Sequence, residues 1–176
     1  MNIEVELRSF ISKEKYEELI NFFKANAKLL KDDYQETFYF NCDEDLRIQR
    51  NKFYSKIWFK KGKLHDDHRE EIEIKTERDQ FEQLEKLFLA MGLDVDIKWF
   101  RNRHQFDWNG ITVCLDYTKG FGHIIELEIM SNEEEKETKA AILRAKLNEL
   151  NIPHTPKEEF NKQYNYYKEN WKELTR

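Results

Sequence analysis

NIEVELRSF, residues 2–10, is the stretch on which the fold turns. In an extended strand, successive side chains point to opposite faces. Glu4, Glu6 and Arg8 therefore share one face, and Val5 and Leu7 share the other. Taken alone, this fits a half-buried strand with polar residues on water and apolar ones in a core. Two carboxylates at i and i+2, with a cation two residues on, also form a shelf for a divalent metal and a phosphate. The rest of the chain decides between these readings.

The pattern returns in IIELEIM, residues 124–130, where Glu126 and Glu128 share a face opposite Ile125, Leu127 and Ile129. Further strand-like stretches lie between. Arg47 aligns with Gln49, and Lys56 with Trp58 and Lys60. Arg69, Glu71, Glu73 and Lys75 form another row, as do Arg101 and Arg103, and Thr112, Cys114 and Asp116. One charged face says little. Many of them suggest a sheet closed around a polar interior.

The 176 residues suit one domain, residues 1–176, with residues 157–174 as a C-terminal helix. Charged residues make up 37% and aromatics 14%, so a core can form despite the high charge. The formal net charge of −5 gives no basic footprint for nucleic acid. Cys42 and Cys114 show no motif spacing, so neither a disulfide framework nor a zinc ribbon is read from them. No apolar run is long enough for a bilayer and no signal peptide is visible. The expectation is a cytoplasmic protein that binds neither nucleic acid nor membrane.

Between the two glutamate strands, the hydrophobic period alternates between 3.6 and 2. Ser12 reads as an N-cap before a helix over residues 13–27, with Tyr16, Leu19, Ile20, Phe22 and Phe23 as its apolar stripe. Strands are expected at residues 33–42, 46–50, 53–61 and 69–76. A second helix over residues 76–91 has Phe81, Leu84, Leu87, Phe88 and Met91 as its buried face. Strands over residues 95–106 and 111–117 flank Trp108-Asn109-Gly110, whose Asn-Gly pair suits a two-residue turn. A third helix is expected from Ser131, using Ala140, Ala141, Leu143, Ala145, Leu147 and Leu150 as apolar positions. Helices among hairpin-linked strands give an α+β chain built on an antiparallel barrel. The run His65-Asp66-Asp67-His68 reads as an exposed turn, and His104 and His123 have no evident partner. No P-loop sequence occurs.

In this order the motifs resemble the CYTH family, the triphosphate tunnel metalloenzymes. The family's ExExK looks like Glu4-Val5-Glu6-Leu7-Arg8, with Arg for Lys. Its LRxR looks like Leu46-Arg47-Ile48-Gln49, with Gln49 for the second Arg. Trp58-Phe59-Lys60, the stretch from Arg69 to Glu73, and Arg101-Asn102-Arg103 resemble its following strands. Asp116, Gly120-Phe121-Gly122 and Glu126-Leu127-Glu128 complete the series. Tyr164 stands near the place of a family Ser-Tyr. The likeness spans nearly the whole chain apart from its last helix.

The resemblance implies an eight-stranded antiparallel β-barrel whose lumen is a charged tunnel, with helices packed outside. It implies a cation, Mg2+ or Mn2+, held by Glu4, Glu6, Asp116, Glu126 and Glu128. It implies substrate binding by Arg8, Arg47, Lys60, Arg69, Arg101 and Arg103, with Glu4, Glu6, Lys60 and Arg103 carrying the catalysis. Arg forks suit phosphate oxygens, and hard cations suit carboxylates. Glu71, Glu73 and Asp116 would relieve repulsion among the cations. The expected partner is tripolyphosphate, ATP or thiamine triphosphate, with a homodimer left open. The complete Glu126-x-Glu128 pair inclines the reading toward a triphosphatase. The alternatives are a class IV adenylyl cyclase, which makes cyclic AMP and pyrophosphate, and a non-catalytic polyphosphate- or nucleotide-binding module. A lipid-binding barrel would require an apolar lumen, and the inward faces are charged.

Overall fold

The computed structural model describes residues 3–61 and 71–176. Its strands are β1 (Ile3–Ile11), β2 (Lys28–Phe40), β3 (Asp45–Arg50), β4 (Ser55–Lys60), β5 (Glu71–Thr76), β6 (Val95–Trp108), β7 (Ile111–Thr118) and β8 (Gly122–Ser131). Its helices are α1 (Lys13–Asn26), α2 (Phe81–Ala90), α3 (Lys136–Glu149) and α4 (Lys157–Leu174). The eight strands form one antiparallel sheet in the order β1-β8-β7-β6-β2-β3-β4-β5, which hydrogen bonds do not close. The chain is α+β, as the periodicity suggested. Arg69 and the run at residues 65–68 lie outside the described residues.

Contacts gather into two compact units. The first comprises Met1–Asp32 and Asn102–Tyr167. Its core joins Leu19 and Phe23 of α1 to Val113 and Leu115 of β7, Ile125 and Leu127 of β8, and Leu143 and Leu147 of α3. Val5 and Leu7 pack against the same cluster. The apolar faces of β1, β7 and β8 are thus the ones the helices cover. Each such side chain contributes about 1.5–3 kcal/mol relative to exposure.

Local chemistry fixes the boundaries of this unit. Ser12 Oγ accepts a hydrogen bond from Lys15 N at 3.1 Å, capping α1. Asn109 and Gly110 both take left-handed backbone angles, φ 53° and 81°. Such a pair matches the twist of a tight hairpin. Asp107 Oδ1 accepts from Gly110 N at 2.8 Å and steadies the turn. The third helix starts later than expected, because Ser131 still pairs with Ile3 in the sheet. Asn132 Oδ1 then accepts from Glu135 N at 2.9 Å before the helix begins. Ala141 and Ala145, expected to be apolar contacts, are exposed.

The second unit comprises Asp33–Arg101 and Lys168–Arg176. Phe38, Phe40 and Ile48 pack with Phe81, Leu84 and Phe88 of α2. Leu87 and Met91 belong outside that face, at 51% and 64% exposure. At 3.6 residues per turn, Leu87 sits about 90° from the centre of the stripe formed by Phe81, Leu84 and Phe88. Met91 is already the C-cap, beyond the last helical residue.

Candidate active site

The antiparallel register of the first unit brings the glutamates together. Glu6 pairs with Glu128, Arg8 with Glu126, and Glu4 with Met130. On the other side of β8, Thr112 pairs with Glu128 and Cys114 with Glu126. Carboxylate oxygens of Glu4, Glu6 and Glu128 lie within 4.8 Å of one another. Cys114 Sγ, Glu126 and Glu128 form a second such group that shares Glu128. Like charges directly opposite each other destabilise a strand pair. Their presence here therefore calls for a compensating charge.

Two guanidinium groups supply part of it. Arg8 Nη2 lies 2.9 Å from a Glu6 oxygen, and Arg8 Nε donates to Glu126. Arg103 grips Asp116 through two parallel hydrogen bonds, Nε to Oδ1 at 2.9 Å and Nη2 to Oδ2 at 2.7 Å. Its Nη2 also reaches Glu126 Oε1 at 3.5 Å. Asp116 thus meets the site through Arg103, while the close carboxylate group is Glu4, Glu6 and Glu128.

This placement separates the proton affinities of the glutamates. Burial alone would raise Glu126, but its hydrogen bond with Glu128 and the charges of Arg8 and Arg103 hold it well below the usual range. Glu128 moves the other way: burial, the bond to Glu126 and the nearby charges of Glu126 and Glu4 raise it. Burial likewise raises Glu6 against the pull of Arg8. Arg103 is raised despite its burial by its bonds to Asp116 and by that carboxylate's charge. Burial pushes the Cys114 thiol up to about 12, so it stays protonated and is no ligand for a hard cation.

A divalent cation of the Mg2+ or Mn2+ type fits this donor set. The donors are carboxylate oxygens, and burial with the charges of Glu126 and Glu4 raises Glu128 against the pull of Arg103, a cost that a bound cation would offset. Glu4, Glu6 and Glu128 are the residues that would hold it, with Glu126 beside them.

The second unit carries its own cation cluster. Arg47 donates to Asp45 Oδ1 at 2.6 Å and stacks on Tyr39 and Trp58, at 4.6 and 4.9 Å from their ring centres. Lys60 Nζ and Lys56 Nζ sit over Trp58 at 4.3 and 4.2 Å. Lys56 is also paired with Glu73 at 2.7 Å. Arg101 Nε donates to Gln35 Oε1 at 3.0 Å. Gln49 donates to Thr37 Oγ1 at 2.9 Å.

Sequence reasoning missed two of the groups that hold these cations, Asp45 at Arg47 and Gln35 at Arg101. Asp45 was visible in principle, two residues before Arg47 and on the same strand face. Gln35 lies on another strand, 66 positions away from Arg101, and no local signal points to it. His104 does have a partner: its Nδ1 lies 3.2 Å from the Tyr16 hydroxyl. His123 packs with Tyr16 and Tyr117, with ring centres 4.9 and 4.6 Å away.

A family model described as the CYTH domain matches residues 2–160. No curated protein sequence matches the chain. Among solved structures, a conserved hypothetical protein from Pyrococcus furiosus is similar, with TM-score 0.66 and 22% identity, over 85% of this chain and 91% of that one. A candidate adenylate cyclase from Vibrio parahaemolyticus gives 0.63 and 18%, over 89% and 96%. A candidate adenylyl cyclase from Hippeastrum, described as having a dominant triphosphatase activity, gives 0.62 and 20%, over 90% and 94%. Likeness at these identities shows a shared fold. Among the described residues, no helix is long and apolar enough to cross a membrane.

Proposed function

The chain belongs to the CYTH family, and from that premise we propose that it hydrolyses a triphosphate with the help of a divalent cation. The observation that carries this reading is the group of Glu4, Glu6 and Glu128 carboxylates set against Arg8 and Arg103 through Glu6 and Glu126. Carboxylate oxygens are hard-cation ligands, and guanidinium forks suit phosphate oxygens. The triphosphatase activity described for the Hippeastrum protein supports the same direction.

In this reading Glu4, Glu6 and Glu128 would hold the cation, with Glu126 beside them and Asp116 acting through Arg103. The cation supplies charge neutralisation and alignment of phosphate oxygens when bound. Arg8 and Arg103 turn donors from their carboxylate partners toward phosphate oxygens. Arg47, Lys60 and Arg101 are proposed as further phosphate-binding cations, and Lys60 and Arg103 as those that stabilise charge developing in the transition state. A water oxygen bonds to the terminal phosphorus. The bridging P–O bond breaks, and its electron pair leaves with the diphosphate product. The water's proton passes to solvent.

The second reading, ATP cyclisation by the ribose 3′-hydroxyl, is supported by the adenylate cyclase candidate of Vibrio parahaemolyticus. Gln49, tied to Thr37, keeps a binding-only reading in view. Product analysis with tripolyphosphate, ATP and thiamine triphosphate, each with Mg2+, Mn2+ or EDTA, separates the three. Orthophosphate release that EDTA stops supports the hydrolase. Cyclic AMP with pyrophosphate supports the cyclase, and binding without turnover supports the module.

A further inference from the structure

Trp58 stands at the centre of the cation cluster in the second unit. The register places Tyr39, Arg47, Trp58 and Glu73 opposite one another on β2, β3, β4 and β5. Lys56 and Lys60 flank Trp58 on the same face of β4, one on either side. The Arg47 guanidinium carbon lies 4.9 Å from the Trp58 ring centre, and the Lys56 and Lys60 nitrogens lie 4.2 and 4.3 Å from it. One indole is therefore within cation–π range of three cations. Arg47 also lies 4.6 Å from the Tyr39 ring, so it meets an aromatic on each neighbouring strand. Lys56 is buried and stands opposite the neutral Gln49.

Resting on the triphosphatase reading above, we propose that Trp58 is a positioning residue that presents Arg47, Lys56 and Lys60 together to one polyphosphate chain, and that Lys56 binds phosphate with the other two. Cations gathered this closely repel one another and need something to hold them. Asp45 and Glu73 hold Arg47 and Lys56 by accepting donors that a phosphate also needs. A ring face differs. It attracts the charge through its quadrupole and takes no particular N–H. The donors can then turn to phosphate oxygens while the ring keeps its hold. Lys56 gives Glu73 a bond of 2.7 Å, and an ammonium carries three donors. Cations already lie against this indole, so its surface serves them rather than a planar organic group of the substrate. Trp is the strongest ring for this purpose; Phe keeps a face, and Leu keeps only apolar bulk.

The test is calorimetric titration of tripolyphosphate into the whole protein in EDTA, with steady-state kinetics in Mg2+, for wild type, Trp58→Phe, Trp58→Leu and Lys56→Met. Trp58→Leu and Lys56→Met are each expected to weaken tripolyphosphate binding about tenfold, and Trp58→Phe about threefold. The Lys56→Met loss should fall on KM. Trp58→Leu should lower kcat as well, because it also releases Lys60. Melting curves check that each variant is folded, and Lys56→Met keeps the proposal testable if Trp58→Leu is not. Equal affinities for wild type, Trp58→Leu and Lys56→Met overturn the proposal, as does no tripolyphosphate binding by wild type. Trp58→Phe as weak as Trp58→Leu also overturns it, because the ring face then contributes nothing. So does a loss confined to ATP and thiamine triphosphate, which would make Trp58 a platform for the organic group. The two readings fail separately. Weakened binding in these variants without turnover of any triphosphate leaves the cation group standing and removes the triphosphatase. Turnover with wild-type KM in both Trp58→Leu and Lys56→Met does the reverse.

Discussion

Glu6 and Glu128 stand directly opposite each other on β1 and β8, with Glu4 completing a group of oxygens within 4.8 Å. A strand pair gains nothing from facing carboxylates. Glu6→Gln keeps the shape and removes one charge. The expected outcome is an intact fold with metal-dependent turnover reduced on the order of a hundredfold or more. Circular dichroism and a Mg2+ titration of steady-state rates check it. Wild-type turnover across the titration would take Glu6 out of the site.

The same pair makes stability depend on pH in the absence of metal. Glu128 has a folded pKa raised above its ordinary value of 4.5. The folded state therefore binds this proton more tightly than the unfolded state. The stabilisation is fully present below about 4.5 and is lost as pH rises toward the folded value. Glu126 is depressed, so its contribution is present above the ordinary carboxylate range and is lost in acid. Thermal melts in EDTA should show Glu128→Gln flattening the fall in stability between pH 5 and about 8. A wild-type slope in that variant would contradict the placement of Glu128.

What could be read in the sequence was what local geometry determines. The alternation in β1 and β8, the Ser12 cap and the Asn109-Gly110 turn depend on neighbours a few residues away. The apolar faces under the helices followed from the same alternation. Leu87 was misplaced because a hydrophobic count ignores the angle each residue occupies on its helix. The links of Arg101 to Gln35 and of Arg103 to Asp116 join different strands. The first had no signal at all. The second was approachable only because both residues fell on expected charged faces. The clustering of Glu4 with Glu128 was implied only by the family resemblance, because alternation within each strand does not state the register that joins them.

The two cysteines should differ sharply in reactivity. Cys42 is exposed, and Cys114 is buried with its thiol pushed up to about 12. The thiolate is the reactive form, so Cys114 is inert at neutral pH on both counts. Iodoacetamide at pH 8 followed by mass spectrometry should give one adduct in the native protein, at Cys42, and two in denaturant. Native labelling of Cys114 at a comparable rate would show that the strand face around Glu126 is open.

Arg103 carries the most consequential prediction, because it touches two carboxylates at once. Its fork is satisfied by Asp116 at 2.9 and 2.7 Å, with Glu126 at 3.5 Å. Asp116 is buried, and removing the guanidinium leaves its charge without that partner. Breaking a buried pair from one side costs about 3–5 kcal/mol. Arg103→Ala should therefore lower stability measurably as well as turnover. Arg103→Lys keeps the charge but not the parallel fork, so it should recover much of the stability and only part of the activity. The double variant Arg103→Ala with Asp116→Asn separates the two effects. It removes the stranded charge and should regain stability, while turnover stays low because the Arg103 guanidinium no longer meets the phosphate. If Arg103 contacts substrate equally before and during the reaction, the loss falls on KM; if the contact strengthens as charge develops, it falls on kcat. Recovery of full turnover in the double variant would mean that Arg103 serves only to neutralise Asp116. The phosphate-binding role would then pass to Arg8 alone in this unit.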